Sequence, residues 1–150
     1  MQIGHIGGIR IVLNPFFLVL LALLGIAGYL PHGVVLFGIV FLHELAHTIV
    51  AFAYGMPLSS IELLPFGGVA SSEGFQNPDP FAEAMVALAG PLTNGVLCLL
   101  ALAVAPYRVI PAMWHGYFLR ANCMLGLFNL IPALPLDGGR VLRGYLALKI

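Results

Sequence analysis

The chain has 150 residues, of which 61% are hydrophobic and only 8% are charged. An ordinary soluble domain is about a quarter charged. A soluble globule of this composition would expose large apolar patches, so the composition excludes an ordinary soluble fold and favours a polytopic membrane protein. Six Lys and Arg balance six Asp and Glu. The chain therefore offers no basic face for nucleic acid, and nucleic acid is not expected as a partner.

Apolar runs long enough to cross a bilayer, about 20 residues each, predict about four transmembrane helices. Proline and glycine bound these runs, and the pair Asp79 and Pro80 predicts the N-cap and first turn of the third helix. A last segment at 138–150 carries three basic residues at helical spacing, typical of an interfacial helix or the start of a further span. The predicted spans are 11–30, 33–54, 84–105 and 113–131.

The stretch at 58–72, between the second and third runs, is too apolar for a solvated loop and is broken by Pro65, Gly67 and Gly68. This pattern predicts a short membrane-associated β-hairpin. The fold class expected from the sequence is therefore an all-α polytopic membrane protein with one such hairpin and a C-terminal helix.

The distribution of basic residues predicts the orientation in the membrane. With four spans, one side carries more Lys and Arg than the other, and the richer side is normally cytoplasmic. Both termini are therefore expected in the cytoplasm, with the chain crossing the inner cell membrane several times. The basic residues on the cytoplasmic side would be Arg10, Arg140, Arg143 and Lys149, against Arg108 and, near the other side, Arg120.

The second run contains three ionisable residues, His43, Glu44 and His47. Such groups within a span are costly and are functional candidates by default. They form the pattern H-E-x-x-H, in which two histidines one helical turn apart can share one Zn²⁺ while the Glu acts as general base. The alternative is a polar cluster that binds another helix or relays protons.

A catalytic zinc site needs a third protein ligand, and Asp137 is the strongest candidate. It follows a run whose helix must break at Pro132 and Pro135, and irregular backbone at membrane depth needs protein or a water-filled cavity around it. A carboxylate at such a break is well placed to reach a metal. The alternative is that Asp137 caps the helix that begins at Gly138. The weaker candidates are His5, Glu62, Glu73 and Glu83.

Four segments carry a family resemblance. They read F-L-H-E-L-A-H at 41–47, L-P-F-G-G at 64–68, A-G-P-L-T-N at 89–94 and N-L-I-P-A-L-P-L-D-G-G-R at 129–140. In this order they resemble the site-2 protease family of intramembrane zinc metalloproteases, and the opening G-I-R-I at 8–11 resembles its compact prokaryotic branch, which includes the sporulation factor IVFB-type proteases. The chain departs from many members at Asn14, where they have His.

The resemblance implies that His43, His47 and Asp137 hold one Zn²⁺ and that Glu44 activates water for attack on a peptide bond. It makes residues 1–150 a single intramembrane metalloprotease core. Its expected partners are a membrane-spanning or membrane-associated protein substrate and the lipid bilayer. Regulatory membrane proteins and further copies of the chain are additional candidates.

The resemblance also implies substrate contacts. Asn94 and Asn129 would help to hold the substrate or the tetrahedral intermediate, although interhelical hydrogen bonding is an equal alternative for both. The hairpin, with Phe66, Gly67 and Gly68, would offer an edge to which an unwound substrate segment adds as a strand.

Two rival functions remain at this point. A transporter that uses the His and Glu cluster as an ion or proton path would be expected to have repeated halves, and no internal repeat is found in the sequence. A catalytically silent family member that acts as a binding partner would usually have lost the Glu or one of the metal ligands. All four residues are present here.

Overall fold

The computed structural model of the chain describes residues 2–6, 9–56, 60–64, 67–71 and 79–149. These residues divide between two compact units, Met1–Pro78 and Asp79–Ile150. The H-E-x-x-H segment belongs to the first unit, and Asp137 belongs to the second.

The described part of the first unit contains a sheet and two helices. The sheet has the order β1-β2-β3-β4, with antiparallel pairing at both ends and parallel pairing between β2 and β3. The strands β3 and β4 lie within the stretch for which the sequence predicts a hairpin, and Ile61 pairs there with Ala70. The elements are β1 (Gln2–Ile6), β2 (Ile9–Leu13), α1 (Pro15–Ile26), α2 (Leu30–Ala53), β3 (Ser60–Leu64) and β4 (Gly67–Ser71).

The first predicted span, 11–30, is wrong in its boundaries. Its first residues belong to β2, whose β-branched residues favour a strand, and α1 begins only at Pro15, after the side chain of Asn14 accepts a hydrogen bond from the Phe16 amide at 3.0 Å. A helix of 12 residues is about 18 Å long at a rise of about 1.5 Å per residue. That length is well short of the roughly 30 Å hydrocarbon core of a bilayer.

Helix α2 packs back on α1 through a close contact. Gly28, with φ +78, allows the tight turn between the helices. A Cβ at Gly33 would lie 2.6 Å from the Cδ1 atom of Leu24, and the rings of Phe17 and Phe37 pack at an angle of 55° with centroids 4.1 Å apart. These contacts fix α2, which carries the histidines, against its neighbour.

The second unit is helical in its described part. Its elements, in chain order, are α3 (Pro80–Val104), a short 3-10 turn, α4 (Ala112–Asn129) and α5 (Asp137–Ala147). The predicted N-cap of α3 is confirmed, because the Asp79 carboxylate accepts a hydrogen bond from the Ala82 amide at 3.2 Å and Pro80 is the first helical residue.

Close backbone approach joins the helices of the second unit. A Cβ at Gly126 of α4 would lie 3.1 Å from the Cβ of Asn94 on α3. The thiols of Cys98 and Cys123 also meet between these two helices, with 3.3 Å between their sulfur atoms. On the other side, a Cβ at Gly144 of α5 would lie 2.6 Å from the carbonyl oxygen of Pro80.

Two helices in the described ranges are long and apolar enough to cross a membrane, Leu30–Ala53 and Pro80–Tyr107. Large apolar side chains project from both of them without being covered, including Phe52 on α2 and Leu99 on α3. Such surfaces suit a lipid environment and would be a liability in water.

Candidate metal centre

The histidines of the H-E-x-x-H segment face each other on α2. Their Nε2 atoms are 3.1 Å apart, and the rings meet edge to face at 82°. His43 is 2% exposed and His47 is 4% exposed. Two buried imidazoles thus direct the same ring nitrogen at one point.

This spacing fits a zinc ion. Two imidazole nitrogens on a tetrahedral zinc, each about 2.0–2.1 Å from the metal, are themselves about 3.3 Å apart. The observed pair would have to separate by only ~0.2 Å to accept the ion. The arrangement follows directly from the helix, because side chains four residues apart lie on the same face.

Glu44 lies beside the histidine pair and is half-buried. Thr48, one turn later, is buried, and its Oγ1 donates a hydrogen bond to the Glu44 carbonyl oxygen at 3.0 Å. The sequence analysis missed Thr48. A threonine one turn after a candidate base was the available signal, since its hydroxyl often bonds the carbonyl four residues earlier.

Asp137 is the first residue of α5 and is 7% exposed. Leu136 occupies the N-cap position, so the alternative that Asp137 is the cap is wrong. A carboxylate in the first turn interacts favourably with the positive end of the helix dipole. Like His43 and His47 in the first unit, Asp137 is buried.

The backbone fixes Asp137 closely. A Cβ at Gly139 would lie 2.6 Å from the carbonyl carbon of Ala133, and one at Gly138 would meet the carbonyl of Leu130 even more closely. The first turn of α5 therefore rests directly on the backbone of the proline-containing loop, which only glycine at these two positions permits.

Asn94 and Asn129 both make packing hydrogen bonds. The Nδ2 of Asn94 donates to the Oδ1 of Asn122 across α3 and α4 at 2.9 Å, and Asn122 donates in turn to the Phe118 carbonyl at 2.9 Å. Asn129 donates to the Leu125 carbonyl within α4 at 3.0 Å. These bonds match the interhelical alternative for Asn94, and Asn122 is the partner that the sequence analysis did not identify.

The remaining candidates are spread over both units. Gly67 and Gly68 belong to β4, where they pair with Leu64 and Leu63, and Phe66 lies outside the described residues. Glu83 is in the first turn of α3. Of the weaker ligand candidates, His5 is in β1, Glu62 is in β3, and Glu73 lies outside the described residues.

Comparison with known proteins identifies the class. The model of a metallopeptidase family, described as Peptidase family M50, matches residues 32–111, which is more than half of the chain. The chain belongs to this family, the site-2 protease family. The match begins two residues after the start of α2 and so includes the whole H-E-x-x-H segment.

Particular relatives are similar over most of the chain. A zinc metalloprotease of Methanocaldococcus jannaschii is 41% identical over 77% of this chain and 34% of its own length. Stage IV sporulation protein FB of Bacillus subtilis is 33% identical over 89% of this chain and 46% of its own length. The chain therefore spans less than half the length of these two curated relatives.

A solved structure is also similar. The site-2 protease from Methanocaldococcus jannaschii has a TM-score of 0.81 and 36% sequence identity, and the match covers 99% of this chain and 72% of that one. The fold described above is thus a site-2 protease fold.

The Asn94 and Asn122 hydrogen bond gives a first prediction. We expect Asn94→Ala and Asn122→Ala each to lower the free energy of unfolding in detergent by about 1 kcal/mol, because an interhelical bond of this kind contributes about that much in a membrane bundle. The double variant should lose less than the sum of the two single losses, because both single variants remove the bond between Asn94 and Asn122. Chemical denaturation followed by circular dichroism measures this.

The same variants distinguish packing from substrate contact. If Asn94 acts only in packing, Asn94→Ala and Asn122→Ala should reduce proteolysis by similar factors. A loss of proteolysis in Asn94→Ala that is tenfold or more beyond that in Asn122→Ala, at equal stability, would instead assign Asn94 to the substrate, at about 1.4 kcal/mol per factor of ten.

Proposed function

We propose that this chain is the core of an intramembrane zinc metalloprotease that hydrolyses peptide bonds of membrane-spanning or membrane-associated proteins. The observation that carries the proposal is the buried pair of facing Nε2 atoms, 3.1 Å apart, on a helix that is apolar and long enough to cross a membrane. Membership of a metallopeptidase family supports it. Both units would belong to this one core, residues 1–150.

One zinc ion per chain would be held by His43, His47 and Asp137. Two imidazoles and one carboxylate form a donor set that catalytic zinc sites use, with a further position left open. When bound, zinc acts as a Lewis acid on the scissile carbonyl and lowers the pKa of a water ligand to about 7. The burial of all three side chains supports their assignment, because buried ligands keep competing water away.

Glu44 would be the general base. Its carboxylate accepts a proton from the attacking water and delivers it to the nitrogen of the leaving amine, so the same group serves both proton transfers. Because Glu44 directly follows His43 in α2, the base lies beside the histidines in both steps.

The substrate would be captured as a strand. A transmembrane helix hides its amides in internal hydrogen bonds, so it must unwind before attack. Among the described strands β4 is at one end of the sheet, and it contains Gly67 and Gly68, which follow Phe66. An edge with small residues leaves room for an added strand. Asn94 and Asn129 would also help to hold the substrate.

The chain would cross the inner cell membrane four times, with both termini in the cytoplasm and the hairpin associated with the membrane. Helices α2 and α3 have the length required, and α4, with 18 residues, reaches about 27 Å. Helix α1 is shorter, and local thinning of the bilayer would accommodate it. The excess of Arg and Lys on the cytoplasmic side supports the orientation.

Removal of the base tests the mechanism. Glu44→Gln should retain zinc, because the ligands are unchanged, while the rate of cleavage of a tagged single-span substrate falls by about 10²–10⁴-fold. Zinc is measured by elemental analysis of the purified protein, and cleavage by reconstitution in liposomes. Wild-type cleavage by Glu44→Gln would refute the role of Glu44.

Two histidine variants are the matched controls. His43→Ala should lose both zinc and cleavage. His115→Ala removes a histidine whose Nε2 bonds the Ala101 carbonyl at 2.9 Å in the second unit, so it should retain both. Loss of zinc in His115→Ala as well would show that the assay responds to general damage.

Asp137 is tested by its charge. Asp137→Ala and Asp137→Asn should both deplete zinc sharply, since an amide is a weak and neutral ligand for the metal. The folded state in detergent should survive, because glycine contacts position the helix start independently of the carboxylate. Full zinc content together with normal cleavage in Asp137→Asn would move the search for a third ligand to Glu62, Glu73 and Glu83.

The topology is tested with single cysteines in a background lacking both native ones. Cysteines at the exposed positions Tyr54 and Leu148 should react with an impermeant thiol reagent from the cytoplasmic face. Cysteines at the exposed positions Tyr29 and Tyr107 should react only from the opposite face. Labelling of Tyr107 and Leu148 positions from the same face would remove α4 from the set of spans.

A further inference from the structure

We propose that Glu83 is a positioning residue for Asp137 and acts through Arg140 and Arg143. The inference rests on the proposed function, because it concerns a side chain assigned there as a metal ligand. It adds a role for Glu83 that neither the H-E-x-x-H pattern nor the donor set contains.

Glu83 holds two arginines of α5 at once. It lies in the first turn of α3, and its side chain is only 12% exposed. Its Oε1 accepts a hydrogen bond from Arg143 and lies 3.9 Å from the Nε of Arg140. A first-turn acid whose only task is to favour the helix dipole has no need of such partners and is normally solvated.

Arg140 connects Glu83 to Asp137. Its Nη1 lies 3.7 Å from the Oδ1 of Asp137, three residues earlier on the same face of α5. One guanidinium therefore lies between two largely buried carboxylates, one on α3 and one at the start of α5. The planar group can serve both because it presents several donors in a fixed geometry.

Helix α5 has close backbone contacts on two sides. On one side its first turn rests on the loop that contains Ala133, through Gly139. On the other side Gly144 lies against the backbone of Pro80. Glu83 is within one turn of Pro80, so its two ion pairs add to the contacts between α3 and α5 on the side of α5 that carries Arg140 and Arg143.

The charges point in the same direction. Arg140 places a positive charge 3.7 Å from a carboxylate that is proposed to hold a dication, and this would weaken metal binding. Glu83 offsets part of that charge. Its removal would therefore weaken zinc binding twice, by releasing Arg140, which contacts the Asp137 carboxylate, and by leaving the charge of Arg140 uncompensated.

The test compares Glu83, in the first turn of α3, with Asp79, the N-cap residue of the same helix. Glu83→Gln should raise the Kd for zinc by about 10–100-fold, the usual effect of losing a partner that orients a ligand. Asp79→Asn, which removes a neighbouring carboxylate that bonds only its own helix in the contacts described, should change it less than about 3-fold. The Kd is measured on the full chain in detergent by competition with a chelator.

A double-mutant cycle separates this role from a merely structural one. In the Arg140→Gln, Arg143→Gln background, Glu83→Gln should change the Kd by less than about 3-fold, because the groups through which it acts are already gone. An undiminished effect in that background would overturn the proposal. Thermal unfolding of the metal-free variants is recorded alongside, and an affinity change that merely follows the loss of stability would also overturn it.

Two further variants keep the result interpretable. If Glu83→Gln does not fold, Glu83→Asp keeps the charge but shortens the reach, and it should still raise the Kd more than about 3-fold at an unchanged unfolding temperature. An unchanged Kd in that variant would overturn the proposal. Asp137→Ala separates the two levels: if it leaves zinc affinity unchanged, the proposed function itself fails, whereas a large effect there with none in the Glu83 variants refutes only the role of Glu83.

Discussion

A polar side chain that is withdrawn from water needs a hydrogen-bond or ionic partner. In an apolar helical protein, the few buried polar clusters therefore show how the helices are held together. The facing imidazoles of His43 and His47, the paired amides of Asn94 and Asn122, and the carboxylate of Glu83 between two arginines are all buried or nearly so. In hydrocarbon an unpaired polar group costs several kcal/mol. Each of these clusters therefore fixes the geometry of the helices that carry it, in addition to any chemistry it performs.

The start of a helix was predictable from the sequence where a local capping signal determined it. Helix α3 begins at Pro80 after the Asp79 cap, as the sequence predicts, because capping depends only on neighbouring residues in the sequence. Helix α1 was misjudged because hydropathy alone does not distinguish the strand at Ile9–Leu13 from the start of a helix. The strand β1 was also missed, because its pairing with β2 is a tertiary contact that composition does not encode.

The site was predictable where spacing along one helix sufficed. The fixed period of a helix brings His43 and His47 together whatever surrounds them. The status of Asp137 depended instead on where α5 begins, and a shift of one residue decides between a cap and a first-turn acid. Partners on separate helices, such as Asn122 for Asn94 or Arg140 for Glu83, require the packing of those helices, which no local pattern contains.

At Gly138 and Gly139 the helix α5 contacts the main chain of the loop at Leu130 and Ala133 directly, because glycine has no side chain to keep the two apart. No side chain at this contact can be exchanged to adjust the packing. A core contact between side chains can be retuned by exchanging one methyl group for another, but here any added atom displaces the helix as a whole. Changes to the chemistry around Asp137 that leave α5 in place therefore have to come from side chains such as Arg140 and Glu83, and not from Gly138 or Gly139.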